Sequence, residues 1–193
     1  MGFDAMTWLN PPMACSQEDG AIAVKTAGAT DFWHDTFYGF RRHSGHFLHR
    51  TVSGDFTASV RFDGRYEALY DQAGLMIRAD ETHWVKAGIE YTDGACFLSC
   101  VVTNGHSDWS VFPLQAPSGP LSIRLTRHGE AIRVQYCDPG DGRWKMTRLG
   151  YLAPTPSIEV GIMCCSPERE GFEVTFSDFR VGPPIDRTLH EAG

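Results

Sequence analysis

Between Gln72 and Phe112 apolar and polar positions alternate through four segments, QAGLMIR, WVKAGIEY, CFLSCVVT and HSDWSVF. Asp93-Gly94 and Asn104-Gly105 separate the last three, and both dipeptides favour two-residue hairpin turns. The predicted register sets Ile89 opposite Leu98, Ala87 opposite Cys100 and Val85 opposite Val102, an apolar face that packs on a core. Side chains alternate strictly across a strand, so the other face carries Trp84, Lys86, Gly88 and Glu90 beside Thr103, Val101, Ser99 and Phe97. Extending the register places Ser110 beside Ser99 and Asp108 beside Val101, and a loop from Ala79 to His83 that lets Arg78 oppose Trp84 would set Gly74 beside Gly88 and Gln72 beside Glu90. A row of small residues, Gly74, Gly88, Ser99 and Ser110, is thus expected to floor a groove. Gln72, Glu90, Phe97 and Phe112 flank it on one side, and Met76, Lys86, Val101 and Asp108 on the other.

The same alternation recurs from Phe56 to Phe62, Leu121 to Arg127, Ala131 to Tyr136, Ser157 to Met163 and Phe172 to Val181, between Gly-, Pro- and Asp-rich breaks such as PSGP and DPGDG. Helical periodicity is almost absent, apart from a short turn at Glu67 to Tyr70. The fold expected is all-β, a two-sheet antiparallel β-sandwich (jelly roll) forming one domain over residues 1–193, with 183–193 a loosely attached tail. The dense aromatic stretch DFWHDTFYG, from Asp31 to Gly39, is expected to supply a strand and loop packing over one end of the groove.

Composition narrows the partners. A net charge of -7, with no run of basic residues, argues against nucleic acid and against an anionic membrane surface. MGFDAMTWLNPP has neither the basic region nor the apolar run of a secretory signal, so a cytoplasmic location is expected. Six cysteines in such a chain are expected to be reduced, with Cys96 and Cys100 sharing the core-facing parity of Leu98. Adjacent Cys164 and Cys165 point to opposite faces, and no CxxC pair occurs. His43, His46 and His49 alternate faces if extended, so no metal site is expected there. GxSxG, P-loop, GxGxxG and HExxH motifs are all missing, and no cofactor is expected.

Candidate site residues follow from the face. Glu90, in the middle of a broad sheet beside Gln72 and near Lys86, is a carboxylate that must be paired or used. Its alternative role is a structural ion pair with Lys86. Lys86 and Asp108 could bond the hydroxyls of a polar ligand, or be solvated surface charges. Tyr70, Trp84 and Trp33 offer flat platforms for a sugar ring, or simple packing. Asp71 lies where a loop could bring a second carboxylate. Parity places Trp109 opposite Cys100, in the core. As a retaining catalytic pair Glu90 and Asp108 stand too far apart for the roughly 5 Å that such chemistry needs, and an inverting pair is doubtful.

The strings TDFWHDTFYGF, GDFTASVRF, YDQAGLMIR, HWVKAGIEY, LSCVVTNGHSDWS and IEVGIMCCSP resemble the YesU-like, or regulation of enolase, family of bacteria and fungi, from Trp8 to about Val181. The resemblance implies a concanavalin A-like lectin/glucanase sandwich of unknown function, and supplies no catalytic residues. Three functions stay open. The chain binds a carbohydrate or small sugar-like metabolite through Tyr70, Asp71, Gln72, Trp84, Lys86, Glu90 and Asp108; or it is a glycan-active enzyme using Glu90 and Asp108; or it is a regulator docking a metabolic enzyme. A protein partner or a homodimer would fit the last.

Overall fold

The structure, a computed structural model, describes residues 2–114 and 119–189. Among these there are strands and turns and no helix. The strands are β1 (Thr7–Leu9), β2 (Ala14–Glu18), β3 (Ala21–Lys25), β4 (Phe32–His34), β5 (Arg41–His43), β6 (His46–Ser53), β7 (Phe56–Gly64) and β8 (Gln72–Asp80). They continue as β9 (His83–Thr92), β10 (Ala95–Asn104), β11 (Ser107–Pro113), β12 (Leu121–His128), β13 (Ala131–Cys137), β14 (Trp144–Tyr151), β15 (Ser157–Cys165) and β16 (Glu173–Gly182). One sheet runs β1-β6-β15-β8-β9-β10-β11, the other β14-β13-β12-β7-β16-β3-β2, all antiparallel, and β4-β5 form a small third ribbon.

The two large sheets bury the predicted alternation between them. Ala73, Leu75 and Ile77 of β8, Val85, Ala87 and Ile89 of β9, and Leu98 of β10 meet Phe56, Val60 and Phe62 of β7 and Leu121, Ile123 and Leu125 of β12. In β16 simple alternation would turn Asp178 inward. A bulge between Ser177 and Arg180, with Asp178 at φ 53°, shifts the parity so that Phe179 enters the core instead.

The β9–β10 turn is as predicted: Asp93 and Gly94 both adopt positive φ, 52° and 76°, and Ile89 faces Leu98. The β10–β11 turn is not. Thr103 pairs with Ser107, leaving a three-residue loop of Asn104, Gly105 and His106, so every side chain of β11 points to the face opposite the one expected. Trp109 sits beside Val101 on the outer face, while Asp108 and Ser110 turn inward at the sandwich edge, where Arg148 of β14 bonds both. The longer loop lets Ser107 Oγ bond Thr103 Oγ1 at 2.8 Å and accept the His34 N–H at 2.9 Å, tying β11 to the small ribbon. In the described part of the tail, Ile185 N–H donates to Thr57 Oγ1, and Arg133 donates to the carbonyls of Asp186 and Thr188. Residues 190–193 lie outside the described part.

Candidate functional site

The expected open groove is mostly filled. The β4-β5 ribbon lies over the outer face of the first sheet, and Phe32, Trp33, Phe47, Met76, Trp84, Val101, Met163 and Cys165 form a second apolar cluster there. Trp84, expected as a sugar platform, is fully buried against Phe32, at 6.2 Å between ring centroids, and its indole N–H donates to the Glu81 carbonyl. Gly45 allows this closure, because a Cβ there would stand 2.3 Å from the Phe32 ring. Gly74 and Gly88 are not a groove floor either. A Cβ on Gly88 would lie 1.9 Å from the Ala73 carbonyl oxygen, so this pair is required by close backbone approach within the sheet.

What stays open is a pocket of about 200 Å³ at the Gln72–Glu90 end, between the ribbon and the sheet. Its base is a hydrogen-bonded polar cluster. The Lys86 ammonium donates to the Phe32 carbonyl (2.7 Å), Gln72 Oε1 (2.6 Å) and Asp31 Oδ1 (3.2 Å). Burial would depress its pKa, but Asp31 and then Glu90 more than offset that, and the ammonium stays charged above its ordinary range. The ion partner of Lys86 is therefore Asp31, which the ribbon brings in, and not Glu90. Asp31 Oδ1 also receives the Phe32 N–H at 2.8 Å.

Glu90 is 5% exposed. Trp109 Nε1–H donates to Ser99 Oγ at 3.1 Å, and Ser99 Oγ–H donates to Glu90 Oε2 at 2.7 Å. Glu90 lines the pocket, its other oxygen, Oε1, receives no hydrogen bond of normal geometry from a described residue, and the Trp109 indole lies close enough to the carboxylate to help hold its pKa down. Burial pushes the Glu90 carboxyl above its ordinary range, while Lys86 and the Ser99 hydroxyl pull the other way.

The walls are aromatic: Trp33, Tyr38, Phe40, Tyr70 and Trp109. Tyr38 stacks on Phe40 (5.3 Å between centroids) and meets Trp33 edge-on (5.7 Å), while Tyr70 meets Trp109 edge-on (6.3 Å). A 2.9 Å hydrogen bond between the Tyr38 and Tyr70 hydroxyls joins the two halves, and it pushes the Tyr70 pKa up to about 12. Tyr70 adopts φ 64°, a left-handed conformation strained for an aromatic residue, and such strain gathers at functional positions.

Of the residues nominated from sequence, Tyr70, Gln72, Lys86, Glu90 and Trp33 come together here. Asp71 does not: fully buried away from the pocket, it accepts from Ser166, Glu67 N–H, Ala68 N–H and Arg169, whose guanidinium contacts both its oxygens. Although burial opposes it, these donors hold its carboxyl below the usual range. Asp108 does not either, being 66% exposed at the sandwich edge on Arg148. Glu90 and Asp108 project from opposite faces of the sheet, so the structure does not bring the two carboxylates together. Sequence reasoning missed Asp31, Phe40 and Arg42 as site residues, and placed Trp109 in the core. The DFWHDTFYG string held the signal for Asp31, and Phe40 and Arg42 follow directly after it.

Among the described residues no group of three His, Cys, Asp or Glu side chains could hold a metal. His46 bonds Asn10 O through Nδ1 and receives Ala27 N–H at Nε2, a structural role in which burial lowers its pKa. A wider groove on the second sheet, near Lys25, Asp63, Arg65 and Glu173, is shallow, and Lys25 and Arg65 both pair with Glu173 at its surface.

Residues 8–184 match the family described as a protein of unknown function, DUF1349. Regulation of enolase protein 1 of Saccharomyces cerevisiae is 44% identical over 185 residues, 96% of this chain and 93% of its own length. The crystal structure of a functionally unknown protein from the same yeast superposes with a TM-score of 0.92 at 43% identity, covering 96% of this chain and 100% of that one. Two more distant structures share the sandwich. A xylan β-1,4-xylosidase from Bacillus halodurans gives a TM-score of 0.68 at 17% identity, with 94% of this chain matching 38% of that one. The carbohydrate binding module CBM66 from Bacillus subtilis gives 0.58 at 11% identity, covering 92% of this chain and 96% of the module. At such identities the likeness is one of fold alone.

Proposed function

The chain belongs to the DUF1349 family, and from that premise we propose that it is a binding protein for a single-ring, hydroxylated ligand of monosaccharide size, held in the pocket under the β4-β5 ribbon. The observation that carries this reading is Glu90: a buried carboxylate with one oxygen bonded by Ser99, lining an aromatic-walled pocket. Flat apolar faces with a few fixed polar atoms are the usual means of holding a sugar ring. At about 200 Å³ the space is smaller than the roughly 300 Å³ at which drug-sized clefts begin, which suits one ring rather than a glycan chain.

A hydrolase reading needs two working carboxylates. Asp31, the other acid near the base, already accepts from Lys86, Gln72 and its neighbour's N–H. Binding without turnover is therefore favoured. Titration calorimetry with a panel of monosaccharides tests it: one should bind, and Trp109→Ala should weaken that binding at least tenfold. Failure of every sugar in the panel would remove the proposal.

A second reading, docking on a metabolic enzyme, has support in the name of the yeast relative and in Phe37, 93% exposed at the tip of the same ribbon. Co-sedimentation with purified enolase, lost in Phe37→Ser, would favour it. Free thiols at all six cysteines suit the cytoplasmic location that goes with either reading.

A further inference from the structure

We propose that the ligand of this pocket is a cation, an amino sugar or similarly sized hydroxylated amine whose ammonium sits against Glu90 inside the aromatic walls. The inference rests on the reading of the pocket as the binding site, and adds the charge of what it binds. It follows from which hydrogen-bonding groups are still free.

The strong donors around the cavity are already committed within the protein. Lys86 has three protons and three acceptors, the Phe32 carbonyl, Gln72 Oε1 and Asp31 Oδ1. The Gln72 amide donates to the Tyr70 carbonyl and to Asp31. Trp33 Nε1–H goes to the Thr36 carbonyl, and Trp109 Nε1–H to Ser99. The Tyr38–Tyr70 pair keeps one spare hydroxyl proton, and Arg42 stands at the exposed rim, its guanidinium 5.0 Å from the Phe40 ring centroid. An anionic ligand would therefore find almost nothing inside to bind its charge.

Acceptors are what remain. Glu90 Oε1 receives no hydrogen bond of normal geometry from a described residue, and aromatic faces carry negative potential that attracts ammonium and guanidinium groups. The lining charges agree. Lys86 pairs with Asp31, and the rest of the lining carries one cation, Arg42, against two carboxylates, Glu90 and Glu168. A buried carboxylate that Lys86 and Ser99 compensate only in part is costly alone and gains from a cation that pairs with it. Burial raises the Glu90 pKa, so a bound ammonium that restores its ionised form has an acid-side limit built in.

Calorimetry at neutral pH with glucosamine, galactosamine and mannosamine, each beside its neutral parent hexose and the corresponding hexose 6-phosphate, tests the claim. Choline serves as a cation without a sugar ring. One hexosamine should bind at least tenfold more tightly than its parent, about 1.4 kcal/mol, and the 6-phosphate should not bind better than the parent. Glu90→Gln, which keeps the shape of the side chain, should erase the preference. Tyr38→Leu, a half-exposed wall residue, should reduce hexosamine affinity several-fold and serves if Glu90→Gln does not fold. Affinity should fall on the acid side as Glu90 protonates and on the alkaline side as the amine loses its proton. Equal affinity for hexosamine and parent, or tighter binding of a 6-phosphate, overturns the cation inference and leaves the sugar pocket standing. Choline binding without any sugar does the reverse. No binding by any of these overturns both.

Discussion

Lys86 is the residue on which the site's architecture depends, and Lys86→Met is the perturbation that measures it. Its ammonium holds two groups of the ribbon, the Phe32 carbonyl and the Asp31 carboxylate, to Gln72 of the sheet. Methionine replaces the aliphatic stem, so the loss is mainly polar. Three acceptors lose a donor, and one of them is a mostly buried charge. Unsatisfied buried groups cost about 1–3 kcal/mol each, and breaking a buried ion pair by removing one partner costs roughly 3–5 kcal/mol in total. For a chain of this length, the expected loss of about 3–5 kcal/mol corresponds to a fall in Tm of roughly 6–20 °C. Urea unfolding followed by tryptophan fluorescence, with Asp31→Leu and the double variant, completes a cycle. The double variant should lose at least about 1 kcal/mol less than the sum of the singles, because each single strands the other's charge. A loss under 1 kcal/mol in Lys86→Met, with additive singles, would refute the reasoning that this ion pair anchors the ribbon.

Gly88→Ala should destabilise by about 1–3 kcal/mol through overpacking, since its Cβ would meet the Ala73 carbonyl at 1.9 Å, whereas Gly182→Ala, with open space around it, should leave the urea midpoint unchanged. Asp71→Asn should lower stability by about 2–4 kcal/mol, below the fully buried value because Arg169 is partly exposed. Asp71 has a depressed folded pKa, so its contribution is present above the unfolded carboxylate range and is lost as pH falls through the folded value. His46 behaves alike at higher pH: burial lowers its folded pKa, so the stability that depends on the neutral ring should decline as pH falls below about 6.5, and His46→Gln should flatten that part of a Tm-against-pH curve. In native protein a thiol reagent should modify exposed Cys15 fastest and buried Cys100, Cys164 and Cys165 slowest, burial having pushed the Cys100 thiol up to about 12; all six should react once unfolded.

The sheets were legible because most of their strands bury one face and so alternate with period two, and the register of β9 against β10 followed from Asp93-Gly94, while that of β8 followed from a loop over 79–83 that sets Arg78 opposite Trp84. The register of β11 was not. Asn104-Gly105 suits a two-residue turn and also the longer loop observed, and at a sheet edge the inner face is open enough to accept Asp108 and Ser110 beside Arg148, so polarity gave no warning. That one-residue difference moved Trp109 from the expected core into the site and carried Asp108 out of it. Asp71 looked free because alternation says nothing about a partner 98 residues away, Arg169. Glu90 and Lys86 were identified correctly as neighbours on one face, but their division of labour depended on Asp31, which a separate ribbon delivers from 55 residues upstream of Lys86.

The most direct test of the pocket as the ligand site uses its own tryptophans as reporters. Trp33 and Trp109 line it, Trp84 is sealed beneath the ribbon, and Trp8 and Trp144 lie elsewhere, Trp144 under the Arg124 guanidinium. Indole N–H signals assigned by single Trp→Phe variants and followed by two-dimensional NMR during a hexosamine and hexose titration separate these positions. The account predicts saturable shifts at Trp109 and Trp33 with Trp8 and Trp144 unmoved. Shifts confined to Trp8 or Trp144, or none with any sugar, would contradict it.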